Sequence, residues 1–389
     1  MAKLSPAARI LVWVQFLFNL AMGLAGIFVN AFLWKTNHSI AAVARFNLVG
    51  FFVAMIAFQA AAWFTKRYRS SVSLSVGMGF YAGFYLLLLV TGEQAGRWLV
   101  PLGLLYGVGM ACYWAALHTL TYDLTGDEGR DYFYGISGFF NTVAVTVAPL
   151  ASGQLLDAIS GVQGYRLIFG LTLANFIATM LVSRLIRDRG SDRDYRWREV
   201  WLPARPNPLW RRIMWAHLFL GVRDGMFSWI TLLLLFMYTG GELAFGRVNS
   251  VLSLTGLLAY QLVGRFLNPG NRRAALTGGT LAHLLVTVFM AVFLNVYGVV
   301  IYAFFAIALV VVWSVPLASL SFEAIESQGE GPRLRIEYIA AREIPLGIGR
   351  VITIGTFLLL AARFGEIDVL RWHLPVVAGL LVVGSWLVR

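Results

Sequence analysis

Shifted by 202 positions, the first part of this chain falls on the second without a gap. Trp13 lands on Trp215, Gly23 on Gly225, Arg45 on Arg247, Asn47 on Asn249, Gln59 on Gln261, Phe64 on Phe266, Leu74 on Leu276 and Gly77 on Gly279. With small changes of register the match resumes. Trp114 pairs with Trp313, and Thr119-Leu120-Thr121-Tyr122-Asp123 pairs with Ser319-Leu320-Ser321-Phe322-Glu323. Polar and aromatic residues recurring at one offset, in so apolar a sequence, are hard to obtain by chance. The chain is two copies of one hydrophobic half, so a fold that suits one copy must suit the other.

Composition then decides the solvent. Hydrophobic residues make up 59% of the chain and charged ones 13%, against roughly a quarter charged in a soluble domain. So few charges cannot cover a water-facing surface. Lipid solvates an apolar exterior, provided that each helix satisfies its own backbone hydrogen bonds. At about 20 apolar residues per crossing, the sequence predicts twelve spans: 10–34, 40–64, 72–91, 98–121, 133–157, 165–186, 213–238, 247–267, 274–296, 298–320, 338–362 and 371–388. The expected fold is an all-α membrane protein, with twelve transmembrane helices in two pseudo-symmetric six-helix bundles. The halves are 1–186 and 213–389, joined by a cytoplasmic loop over 187–212 that carries eight Arg. The first apolar run, Ile10 to Trp34, is too long for a cleavable signal and reads as a span.

Basic residues set the orientation. Lys66, Arg67, Arg69, Arg130, the loop arginines, Arg272, Arg273, Arg333 and Arg335 all fall on one side. This positive-inside bias places both termini in the cytoplasm of a bacterial inner membrane. The net charge of +12 is not a nucleic-acid footprint, because the basic residues lie between apolar spans. A single cysteine, Cys112, excludes an internal disulfide and a cysteine metal cluster. There is no paired-His metal motif, no phosphate-cradling Gly-rich loop and no nucleophile elbow, so neither an enzyme, a metal nor a cofactor is expected.

The connection between spans 8 and 9 reads Gly264-Arg265-Phe266-Leu267-Asn268-Pro269-Gly270-Asn271-Arg272-Arg273. It resembles the loop signature of the major facilitator superfamily, with Asn268 where a carboxylate usually stands. Ala148-Pro149-Leu150-Ala151-Ser152-Gly153 in span 5 is similar to the Gly-Pro-rich element of the antiporters of that family. Close helix packing explains such a segment equally well. Span 4 has Gly107-Val108-Gly109 but Gly103 where proton-coupled exporters carry a buried Arg. The resemblance covers the whole chain in span number, central loop and repeat. It implies transport by two halves rocking about a central site.

Ionisable groups at mid-membrane depth mark pathways. Asp224 lies twelve residues past Arg212, about 18 Å up span 7 at about 1.5 Å per residue. It belongs to a stripe with His217, Gly221 and Ser228, matched in span 1 by Gln15, Asn19, Met22 and Gly26. Span 11 supplies Glu343 and Arg350, seven apart and so on one helix face. Neither Asp224 nor Arg350 is tolerable alone in hydrocarbon, and the two are predicted to meet across a cavity between spans 7 and 11. Trp114, Trp313 and His118 are further candidates to line a substrate or proton site. Gating candidates are the repeat-matched Arg45 and Arg247 at the outer helix ends, and Asp123, Glu323 and Arg130 at the inner ends. The expected function is secondary active transport of a small or amphipathic solute, with proton-coupled efflux as one form. The alternative is a lipid flippase or a membrane-embedded assembly component. The expected partners are therefore a small-molecule or lipid-like substrate, H+ as coupling ion and the lipid bilayer. A monomer is expected.

Overall fold

The computed structural model describes residues 4–125, 127–159, 161–188, 194–201, 207–268, 270–327 and 333–388. Among them run twelve long helices: α1 (Pro6–Asn37), α2 (Ile40–Arg67), α3 (Ser70–Thr91), α4 (Leu99–Leu124), α5 (Asp127–Ala158), α6 (Val162–Ser183), α7 (Pro208–Thr239), α8 (Glu242–Phe266), α9 (Arg272–Val292), α10 (Val296–Glu326), α11 (Arg335–Phe364) and α12 (Glu366–Trp386). No strand occurs among the described residues. Eleven of the helices are long and apolar enough to cross a membrane. The twelfth, α8, has the length, but Arg247, Asn249, Ser250, Ser253 and Gln261 dilute its apolar character. Two short helical segments lie outside the predicted spans: a 3-10 turn at Gly92–Arg97, and the helix Trp197–Trp201 within the central Arg-rich connection.

The 202-residue offset extends to the chemistry that starts and stops these helices. Ser5 caps α1, its hydroxyl accepting from the Ala8 amide at 3.2 Å, and Pro6 opens the helix. Asn207 caps α7, accepting from the Leu209 and Trp210 amides at 2.9 and 3.3 Å, and Pro208 opens that helix. A short polar acceptor followed by Pro suits this position, because the first amides have no partner inside the helix and Pro lacks one to lose. At the far end, His38 (φ 52°) and Gly240 (φ 80°) both take the left-handed conformation that stops a helix. Each is followed almost at once by the next helix.

The helices divide into two compact units. One comprises Met1–His38, Val53–Arg196 and Glu242–Ser250, the other Ser39–Phe52, Trp197–Gly241 and Val251–Arg389. Within the first, α1 packs on α4, α5 and α6, α3 on α4 and α6, and α5 on α6. Within the second, α7 packs on α10, α11 and α12, α9 on α10 and α12, and α11 on α12. Adding six to each label converts one set of pairs into the other, which is the pseudo-symmetry expected of the repeat.

Repeated glycines explain why the same helices cross. A Cβ on Gly23 in α1 would come within 2.8 Å of the Ala148 Cβ in α5. Its counterpart Gly225 in α7 lies against the backbone of Arg350 and the Thr353 methyl in α11. Gly77 and Gly279 do the same for the α3–α4 and α9–α10 crossings, against Tyr113 and Trp313. Without a hydrophobic drive between helices in lipid, close backbone approach at small residues is what holds such crossings together. The α7–α11 crossing is the tightest, because Gly221 and Gly349 also face backbone atoms of the other helix. One departure from symmetry is a π-helical segment at Met22–Gly26 in α1, where α7 is α-helical throughout.

This crossing gives a direct prediction. Gly225→Ala should destabilise the purified protein by about 1–3 kcal/mol, as overpacking does, and lower its melting temperature. Gly278→Ala, also in mid-helix but with nothing within 4 Å, should leave the melting temperature unchanged or raise it. Equal effects of the two substitutions would contradict the packing argument.

Candidate transport site

The glycine crossing of α7 and α11 sets Asp224 and Arg350 face to face. Arg350 Nη2 donates to Asp224 Oδ2 at 3.3 Å, and Arg223 Nη1 donates to Asp224 Oδ1 at 3.0 Å. One carboxylate is thus shared by two guanidiniums, one from each side of the crossing. The side chains are 23% exposed for Asp224, 13% for Arg350 and 9% for Arg223, so the carboxylate is the most open of the three. Flat rings hold the cations: Arg350 lies over Phe51 at 4.9 Å, and Arg223 over Phe227 at 5.1 Å and Trp313 at 5.4 Å. Such cation–π contacts stabilise a guanidinium where water is scarce. Asp224 and Arg350 therefore meet, and Arg223 joins them.

The remaining candidates spread over other environments. Glu343 pairs with its neighbour Arg342 at 3.9 Å rather than reaching Arg350. His217 is buried, with Nδ1 2.8 Å from the Ile213 carbonyl one turn earlier in its own helix. Asn19 donates to Asn141 Oδ1 of α5 at 3.0 Å and to the Gln15 carbonyl at 2.9 Å, while Gln15 is buried. The repeat partners Trp114 and Trp313 have different surroundings. Trp313 is buried under Arg223, whereas Trp114 is 39% exposed and stands 5.7 Å from the exposed His118 ring. Arg45 and Arg247 are exposed, but Asn47 and Asn249, two residues further on, are buried. Glu323 is paired to Arg272 at 3.8 Å, and Asp123 is exposed. The Arg130 side chain lies outside the described residues. A cavity of about 740 Å³ does lie between α7 and α11, with Val200 and Trp201 of the short central helix along one side. It is lined by Trp201, Trp210, Met214, Trp215, Pro345 and Ile348 among others, and neither Asp224 nor Arg350 reaches it.

Sequence reasoning missed two carboxylates at the helix ends that follow His38 and Gly240. In the second unit, Glu366 at the start of α12 accepts from Ser39 Oγ at 2.6 Å, the Ile40 amide at 2.7 Å and the Ala41 amide at 3.0 Å. A residue from the last span thereby caps α2. In the first unit, Glu242, the first residue of α8, accepts from Lys35 Nζ at 2.6 Å and from the Tyr165 hydroxyl at 3.1 Å. Both contacts put a negative charge at a helix N-terminus, where the backbone amides and the helix dipole favour it. Further along α8, Gly246 lies against Gly153 and the Pro149 carbonyl, and Ser250 Oγ donates to the Thr146 carbonyl at 2.7 Å. The Gly-Pro-rich element of span 5 is therefore a packing surface for the start of α8.

Comparison with known proteins identifies the family and the fold. The family model for the Major Facilitator Superfamily matches residues 11–331. The chain belongs to that superfamily: it is a multi-pass membrane protein, and a membrane transporter is the function this membership supports. Uncharacterized protein YqgE of Bacillus subtilis (strain 168) is 32% identical over 355 residues, 90% of this chain and 81% of the relative. An uncharacterized protein in the sodM 3' region of Geobacillus stearothermophilus is 30% identical over 168 residues, 43% of this chain and 78% of that one. Among solved structures, the human organic anion transporter MFSD10 (TETRAN) superposes with a TM-score of 0.68 at 12% identity, over 99% of this chain and all of that one. The POT family transporter PepTSo superposes at 0.76 with 10% identity, over 99% and 97%. Both share the fold.

The Glu366 cap is open to direct measurement. Glu366→Ala should cost about 0.5–2 kcal/mol, as loss of a helix cap does, and should raise hydrogen exchange at the Ile40 and Ala41 amides selectively. Unchanged protection there would show that the carboxylate holds nothing in place.

Proposed function

We propose that this protein is a secondary active transporter of a small or amphipathic solute in the bacterial inner membrane. Both termini face the cytoplasm, and the protein works as a monomer by alternating access. The observation that carries the mechanism is the Asp224 carboxylate shared between Arg223 and Arg350. A contact bridging α7 and α11 at this depth is a two-state element: it is closed when the carboxylate holds both cations and released when a solute or a proton competes for one partner. A charge isolated at a helix centre costs about 2.5–3.5 kcal/mol on the insertion scale, so release has to be coupled to the arrival of a replacement. That requirement links binding to helix movement, and a proton gradient is the driving force to test first, with export as the direction.

A lipid-like cargo is the second reading. It is favoured by the apolar cavity between α7 and α11, with Trp201, Trp210 and Trp215 around it and the exposed Arg211 in its lining. Tryptophans beside a basic residue suit the boundary between acyl chains and headgroups.

Reconstitution into proteoliposomes tests both. A panel of small solutes and a fluorescent phospholipid are offered with and without an imposed pH gradient. The expected result is gradient-driven accumulation of a small solute by the wild type. Asp224→Asn should fail to accumulate it above equilibrium while retaining part of the exchange activity. Full concentrative transport by this variant would remove Asp224 from the coupling step, and lipid movement without solute transport would favour the second reading.

A further inference from the structure

We propose that the solute recognised at the Arg223–Asp224–Arg350 cluster is an organic anion, with one negatively charged group on a flat or apolar body. The inference rests on the transport reading of that site and narrows it to a substrate class. It starts from a charge count. Apart from Glu337, buried in the first turn of α11, the charged side chains well inside α7 and α11 are Arg223, Asp224, Arg342, Glu343 and Arg350, and the count that follows is that of the Asp224 cluster alone. Arg342 and Glu343 pair with one another at 3.9 Å. This leaves two guanidiniums on one carboxylate, and so one positive charge in excess. The buried histidines of this unit, His217, His283 and His373, do not redress it, since a histidine is either neutral or positive. An unbalanced charge at this depth calls for a counter-ion, and a site of net positive charge selects an anion.

Donor geometry points the same way. The Nε atoms of Arg223, Arg342 and Arg350 are buried and meet no acceptor in the described structure. Arg350 spends one Nη2 contact on Asp224, and that contact is 3.3 Å long, longer than the about 2.7–2.9 Å of a well-made charge-assisted bond. A guanidinium has five N–H donors in a planar fork that matches a carboxylate, sulfonate or phosphonate. Around these donors stand Phe51, Phe227 and Trp313, ring faces that suit an aromatic or otherwise apolar body and add no charge. Asp224 then acts as a resident stand-in for the solute's own negative group. It satisfies the cations while the site is empty and yields one of them when the solute arrives.

Such a stand-in behaves differently from a carboxylate that merely holds the helices in place. Removing it should tighten anion binding, because the competitor for the arginines is gone. The test uses the purified full-length protein in lipid nanodiscs with no gradient. It compares benzoate, benzenesulfonate and phenylphosphonate with the neutral isostere benzamide and the cationic isostere benzylammonium. Binding is read as thermal stabilisation and as quenching of tryptophan fluorescence, Trp313 lying 5.4 Å from the Arg223 guanidinium. At least one anion should bind ten-fold or more tightly than benzamide, and benzylammonium should not bind. Asp224→Asn should bind that anion several-fold more tightly, Arg350→Gln should lose the preference, and Arg350→Lys should keep part of it.

The proposal is overturned if benzamide or benzylammonium binds as well as every anion. It is also overturned if Asp224→Asn weakens anion binding, or if the anion preference survives in Arg350→Gln. Should Arg350→Gln fail to fold, the comparison of isosteres on the wild type and on Asp224→Asn still decides. Because no gradient is applied, failure here leaves coupled transport of a neutral solute standing. A protein that binds anions but moves nothing in proteoliposomes would instead count against the transport reading.

Discussion

The contact that the rest of this structure depends on is one carboxylate held by two guanidiniums where α7 and α11 cross. Each partner on its own would be intolerable at that depth, so the three side chains fix one another. They meet only because Gly221, Gly225 and Gly349 let the two backbones touch. A Cβ at any of these positions would push the helices apart and lengthen an ion pair that is already 3.3 Å long. Packing and electrostatics are therefore not separable here, since the small residues set the separation over which the charges act.

The same economy governs the helix ends. At equivalent places in the repeat the chain turns sharply through a left-handed residue, His38 or Gly240, and starts a new helix. Both starts receive a carboxylate, but by different routes. Glu242 sits in α8 itself and is gripped by Lys35 and Tyr165, while α2 borrows Glu366 from the far end of the chain. Each contact ties a residue of one sequence half to the other half within a single compact unit. Salt bridges as open as Lys35–Glu242 contribute little to stability.

The legibility of the sequence followed the range of the interactions. The repeat and the helical class could be read because each follows from spacing along one helix or from one fixed offset, and the contact of Asp224 with Arg350 because each is a lone charge in an apolar span that needs an opposite partner. The Glu366 cap could not, because its partners lie 325 to 327 residues away and nothing local marks an acidic residue as serving a distant amide. Nor does anything local mark Lys35 as the partner of Glu242, 207 residues away. Arg223, adjacent to Asp224 in sequence, carries the contact on to Phe227 and Trp313, which nothing in the spacing along its own helix marks. The repeat itself misled in one respect. Trp114 and Trp313 match in sequence, but one is 39% exposed and the other 2%, because two copies of a fold need not share the same neighbours.

The central claim, that Asp224 and Arg350 act as one coupled element, is tested most directly by a double-mutant cycle on thermal stability. Asp224→Asn, Arg350→Gln and the double substitution are compared in the same nanodiscs. Contacting charged residues show interaction energies of about 0.5–3 kcal/mol in such cycles. The account predicts a coupling in that range, with the double variant more stable than the sum of the single losses implies, because it strands one guanidinium, Arg223, where Asp224→Asn alone strands two. Strict additivity of the two substitutions would contradict it.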